Sequence, residues 1–425
     1  MHYASLVRCA AVSFLTAASA HAASGPLQSL DWPQQKVAAD DGGANQGFGR
    51  ATAIVGDTAF VGVPNAPGSG TVYVFTRVAG QWTQTQELAP AQSPPGADFG
   101  YAIAFDDTTA IIGAPFTTLT DDGNRHQGAA FVFIKQDGVW VESERLTAAD
   151  YAAENQFGNA VALSSGTMLV AAYNAQIGEN PYQGAVYSFK NDGGTWTQSQ
   201  KLTASDGAGG DDFGSAIALS GSTAIIGSPY ASGVNSQQGA AYVFTMDNGT
   251  WSEHQKLTAD DGAVLDDFGA ALAIDGDTAV IAAQFAGGGA GAAYVFTADG
   301  GTWSQAMRVS ASDGVSGDAF GESVALSGSN FVVGAIFATI GDNLGQGAAY
   351  VFSGAGGDWS ETTKLVADDG ASGDDFGYAV AISAGDVLAG SPFAVIDGHN
   401  GQGAAYFYAA PAGDTIFTDG FDGAP

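Results

Sequence analysis

One cysteine, Cys9, occurs in 425 residues. A disulfide framework or a thiolate metal site is therefore excluded, even in a compartment that would permit one. Positive charge is scarce as well, with 12 Lys and Arg against 44 Asp and Glu and a formal net charge of -32. That balance argues against nucleic acid or an anionic membrane as partner and suits cations, cationic partners or simple solubility, including in a saline medium. Only His126, His254 and His399 follow the first 22 residues. With no Gly-x-Ser-x-Gly elbow, zinc-binding HExxH or phosphate loop, no catalytic constellation is visible and a non-enzyme is expected. No apolar run after the N-terminus reaches the ~18 residues of a membrane span. Nor does any later segment combine a helical period with capping signals, which leaves an all-β chain.

What the chain has is repetition. Trp32, Trp82, Trp140, Trp196, Trp251, Trp303 and Trp359 account for all seven tryptophans. A Phe-Gly pair follows each interval, led by Phe48, Phe99, Phe157, Phe213, Phe268, Phe320 and Phe376. Tyr73, Phe131, Tyr187, Tyr242, Tyr294, Tyr350 and Tyr406 mark a third recurring segment. A period of this length belongs to propellers and solenoids, so the chain counts as one repeat domain, residues 31–408.

Each unit reads as four short strands. After Phe213-Gly214 the run to Leu219 is apolar on both faces, as a strand covered on both sides requires. A tight turn at Ser220-Gly221-Ser222 leads to a second strand from Thr223 to Ile226. A variable loop precedes the third strand, Ala240 to Phe244, and an Asp247-Asn248-Gly249 turn leads to the fourth, Trp251 to Leu257. Seven such units predict a seven-bladed β-propeller, because only a closed ring covers both faces of every inner strand and removes most open edges. The last unit lacks a fourth strand, while Trp32 to Val37 is a fourth strand with no unit of its own. It is therefore expected to pair beside 403–408 and close the ring.

These residues resemble the FG-GAP repeats that build the propeller of integrin α subunits and of many secreted bacterial proteins. The Phe-Gly pairs give one half of the motif. Gly113-Ala114-Pro115, Gly227-Ser228-Pro229 and Gly390-Ser391-Pro392 give the other, which is eroded at Ala171-Ala172-Tyr173, Ala282-Ala283-Gln284 and Gly334-Ala335-Ile336. The resemblance implies a binding or adhesion module, with a lectin or polysaccharide-active enzyme as the alternative and a protein or glycan as ligand. It also implies calcium in an Asp-rich loop between the first two strands, but here those connections are short turns that cannot supply six to eight oxygens.

The acid lies in the loops between units instead. Candidate calcium ligands there are Asp206, Asp211 and Asp212; Asp261, Asp266 and Asp267; Asp313 and Asp318; and Asp369, Asp374 and Asp375. A metal-free reading competes, since Asp-Gly is a favoured turn pair and Asp caps backbone N–H groups. Lys36, Arg145, Lys201, Lys256, Arg308 and Lys364 recur near the end of the fourth strands, where each could pair with an acidic loop; Glu87 is the exception. Strand order should bring these loops to the same end as the variable loops. The tryptophans are expected to pack blades, with sugar stacking as the alternative, whereas Tyr182, Tyr230, Phe285, Phe337 and Phe393 are candidates for ligand contact. Residues 1–22 read as an export signal cleaved after Ala22, giving a secreted monomer, and residues 409–425 form a tail with no repeat counterpart.

Overall fold

The computed structural model describes residues 32–120 and 125–411. The expected export signal and residues 412–425 of the tail lie outside the described residues. Seven four-stranded antiparallel sheets follow one another; six have their strands in sequence order, and in the last the N-terminal strand takes the outer place. The blade containing Phe213 uses Ile217–Ser220, Thr223–Ser228, Ala240–Asp247 and Thr250–Leu257. Its second strand, TAIIGS, is buried from Ala224 onward because sheets lie on both of its faces. Its outer strand alternates, with Trp251 and Leu257 turned inward and polar residues toward water. Among the described residues helix is limited to a single turn, Ala286–Gly289, and no helix is long and apolar enough to cross a membrane.

Each inner strand touches the inner strand of the next blade, and Val380–Ser383 of the last meets Ala51–Val55 of the first. The ring is therefore closed. Closure is made as expected: Gln34–Val37 pairs antiparallel with Ala404–Tyr408, in register from Gln34 with Tyr408 to Val37 with Ala405. In the other six blades the third and fourth strands share one irregularity, such as that between Val243 and Phe244. A bulge of this kind adds twist and so fans the blade outward.

The two motif halves meet where blades pack. A Cβ at Gly227 would overlap the carbonyl oxygen of Gly269 in the next Phe-Gly pair, so the backbones approach too closely for a side chain. Phe213 is fully buried, with Tyr242 and Phe244 edge-on at 5.6 and 6.0 Å. The tryptophans of blades one to six are buried, and Trp82 stacks on Phe407 of the last blade at 4.2 Å. Their faces are taken by packing, which removes the sugar-stacking alternative for these six. Blades are also laced at the rim: Gln200 Nε2 donates to the Trp251 carbonyl (2.7 Å) while Trp251 N–H donates back to Gln200 Oε1 (2.8 Å).

Candidate binding site at the axial mouth

Loops between blades and loops between second and third strands do share one end, as expected. Gly210, Asp212 and Phe213 N–H groups donate to the carbonyls of Pro181, Tyr182 and Gln183 at 2.9, 3.1 and 2.9 Å. At this end the candidate aspartates separate into three environments.

In the first, one aspartate bridges a tyrosine and a cation. Asp206 accepts from Tyr242 Oη (2.8 Å) and Lys256 Nζ (2.7 Å). Asp313 does so with Tyr350 and Lys364, both 2.7 Å. Asp369 uses Tyr406 (3.0 Å) and Lys36 (2.6 Å), so the closing strand also supplies the cation of the last blade. Asp150 completes the same arrangement with Tyr187 and Lys201, and Asp261 pairs with Arg308 at 3.2 Å. Burial disfavours the ionised form of Asp206, but the Lys256 and Tyr242 hydrogen bonds outweigh it and hold the carboxyl below its ordinary range. The exceptions are consistent. Tyr73 bonds Asp41 where Glu87 replaces the cation, and burial followed by Asp41 pushes the Glu87 carboxyl up. In the second blade Phe131 replaces the tyrosine, and Gln92 stands at the aspartate's place in the loop.

The second environment is a turn. Asp211, Asp266, Asp318 and Asp374 are buried, and each accepts the backbone N–H three residues earlier: Ala208 (2.7 Å), Ala263 (2.7 Å), Val315 (2.9 Å) and Ala371 (2.8 Å). These carboxylates hold their own loops.

The third environment is different in kind. Asp212, Asp267 and Asp375, each just before Phe-Gly, have φ of 54°, 59° and 53°, a left-handed conformation that Asp tolerates better than most residues. Their carboxylates make no hydrogen bond or ion pair with any described residue. Burial, then the neighbouring Asp211, Asp266 or Asp374, pushes each up to about 6. Asp98 holds the corresponding place in the second blade and is also raised by burial, with Arg50 and His126 opposing.

The three environments do not converge on a metal. Among the described residues no group of three or more His, Cys, Asp or Glu side chains is placed to hold one. Both oxygens of Asp206, Asp313 and Asp369 are engaged by Tyr and Lys, so these three carboxylates are already satisfied within the chain.

Two of the unpartnered aspartates, Asp212 and Asp267, lie at the axial mouth. A cavity of about 250 Å³ there is lined from four successive blades, by Tyr101, Asn159, Tyr173, Asp212, Tyr230 and Asp267 among others. Its lining includes Ser215 and Ala270, the two smallest of the seven residues that follow Phe-Gly. Arg50 lies over the rings of Tyr378 (5.1 Å) and of Tyr101 (6.0 Å), the latter one of the lining residues. Asn159 is held rigidly, donating to the Gly214 carbonyl (3.0 Å) and accepting from Tyr173 N–H (3.1 Å). The expected contact residues Tyr182, Tyr230, Phe285, Phe337 and Phe393 are all exposed, and Tyr230 lines the cavity. His126 pairs with Glu154 (2.9 Å), and His399 lies beside Gln402 (3.0 Å).

Sequence reasoning missed the ring after Phe-Gly: Arg50, Tyr101, Asn159, Ser215, Ala270, Glu322 and Tyr378. The signal was present. This position differs in almost every unit, whereas the next residue is Ala in six units and Ser323 in the other. A position that varies inside an otherwise constant repeat has no packing role common to the blades.

A family model described as FG-GAP repeat matches seven segments: residues 32–75, 82–133, 140–189, 196–244, 251–296, 303–352 and 359–408. No curated protein matches the chain significantly.

Proposed function

The chain belongs to the FG-GAP repeat family, and on that premise we propose that it is a secreted, non-enzymatic binding or adhesion module whose ligand enters the axial mouth. One observation carries this reading. Asp267 is 4% exposed, faces the cavity and has no partner among the described residues. A buried carboxylate without a partner destabilises the fold, so its retention fits a role toward something outside the chain. No histidine is among the residues lining the cavity, which supports reading the site as recognition without turnover. Export with cleavage after Ala22 completes the proposal.

A glycan is the second reading, favoured by Tyr101, Tyr173 and Tyr230 around the same cavity, since aromatic faces suit sugar rings. Peptide and glycan arrays probed with wild type and Ala270→Trp test the proposal. Ligands held by wild type and lost on filling the mouth support it; ligands held equally by both proteins overturn it. Release of new reducing ends from a bound polysaccharide would replace binding by catalysis. Binding is read as independent of calcium: titration of the protein with calcium should give neither heat nor a shift in Tm, and saturable binding of several ions would contradict this.

A further inference from the structure

We propose that the axial cavity is a receptor for an organic ammonium group. The inference rests on the mouth being the binding site and names what that site takes. Asp212 and Asp267 line the cavity, and none of the residues lining it is Lys, Arg or His. Arg50, the one cation at the positions after Phe-Gly, is not among the lining residues, and its guanidinium lies over the rings of Tyr378 and of Tyr101, the latter a lining residue. Two carboxylates therefore share a cavity with no internal counter-charge. An anionic ligand would be repelled, and a neutral one would leave both charges unpaired in a drier site.

A metal ion fits less well than an ammonium. Beyond the two carboxylates the lining offers only neutral oxygens, from Ser215, Gln284, the tyrosines and an Asn159 already bonded to Tyr173 N–H, and among the described residues no third carboxylate or histidine joins them as a hard cation would want. Tyr101, Tyr173 and Tyr230 are the wrong ligands for calcium and the right ones for an ammonium, whose charge is attracted to the faces of aromatic rings. About 250 Å³ holds an ammonium head with several carbons behind it, where a water occupies roughly 30 Å³. The same head occurs on a lysine side chain and on an amino sugar.

Binding should depend on pH. Asp211 neighbours Asp212 and Asp266 neighbours Asp267, and the other titratable groups lining the cavity with them are Tyr101, Tyr173 and Tyr230. Tyr173 and Tyr230 are raised by burial, Tyr173 to about 12, and stay neutral below pH 8. The two aspartates lose their protons near pH 6, so affinity rises through that pH and binding takes up no proton above it.

Calorimetric titration with Nα-acetyllysine methylamide and with methyl glucosaminide, each beside its N-acetylated neutral counterpart, tests the inference at pH 5 and pH 7.5. At least one ammonium probe should bind at pH 7.5, weaken about tenfold or more at pH 5, and be lost in Asp267→Asn and in Ala270→Trp. Which of the two binds identifies the source of the head group. Equal binding of the neutral counterparts, undiminished binding by Asp267→Asn, or no binding of either ammonium probe would overturn it. Neutral sugars that bind and are lost in Ala270→Trp would leave the mouth as the site and remove the ammonium. Ligands unaffected by Ala270→Trp would remove both.

Discussion

Asp211 and Asp212 are neighbours in the chain with opposite fates. The first accepts the Ala208 N–H and holds its turn; the second faces the mouth with no partner among the described residues. Nothing in the letters DDFG separates them, because the difference is made by a left-handed backbone at the second position and by which blade lies opposite. Asp206 in the same loop is the clearest structural acid. Its carboxyl is held below the ordinary range, so its contribution is complete above that range and disappears as pH falls through the lowered value. Asp206→Asn should therefore cost about 1 kcal/mol at pH 7, a figure kept small because the carboxylate is half exposed. Thermal melts should show the difference from wild type shrinking below pH 4; a constant difference would mean the Lys256 pair is not its source.

At the scale of the strand and the blade, the sequence was legible. Seven copies of one pattern specify four strands, their order and the missing outer strand, since each copy repeats the same turns and the same inward residues. The irregularity between Val243 and Phe244 was not legible, because it depends on the register with Thr250–Leu257. The lacing by Gln200 was also hidden, since its partner lies 51 residues away on the next blade. Gln200→Ala leaves the Trp251 N–H and carbonyl unpaired and should lower stability by about 1–2 kcal/mol, measured by denaturant unfolding. Gly227→Val places a side chain against the Gly269 carbonyl and should cost upward of ~3 kcal/mol, or prevent folding. If Gly227→Val melts like wild type, the close approach of the two motif halves does not hold blades together.

For the whole molecule, closure joins the two ends of the domain. Gln34–Val37 gives the last blade its outer strand and gives Asp369 its cation, Lys36. Removing residues 32–37 should open an edge along Ala404–Tyr408, lower Tm and promote association, seen by calorimetry and size-exclusion chromatography. The mouth is also a property of the closed ring, since its cavity draws side chains from four successive blades. Ring order is what sequence reading lacked: the variable residues after Phe-Gly are some fifty positions apart until closure faces them toward one axis. On the proposed role, Asp212 and Asp267 stay unpaired for a ligand and at the expense of stability. Because both are raised to about 6, ionising them destabilises the free protein as pH rises from the unfolded carboxyl range through 6. Thermal stability of the Asp212→Asn, Asp267→Asn double variant against pH measures this most directly. The variant should match wild type near pH 4 and melt higher at pH 8. A variant that melts lower than wild type at both pH values would show that these carboxylates hold the fold together, and would contradict the account.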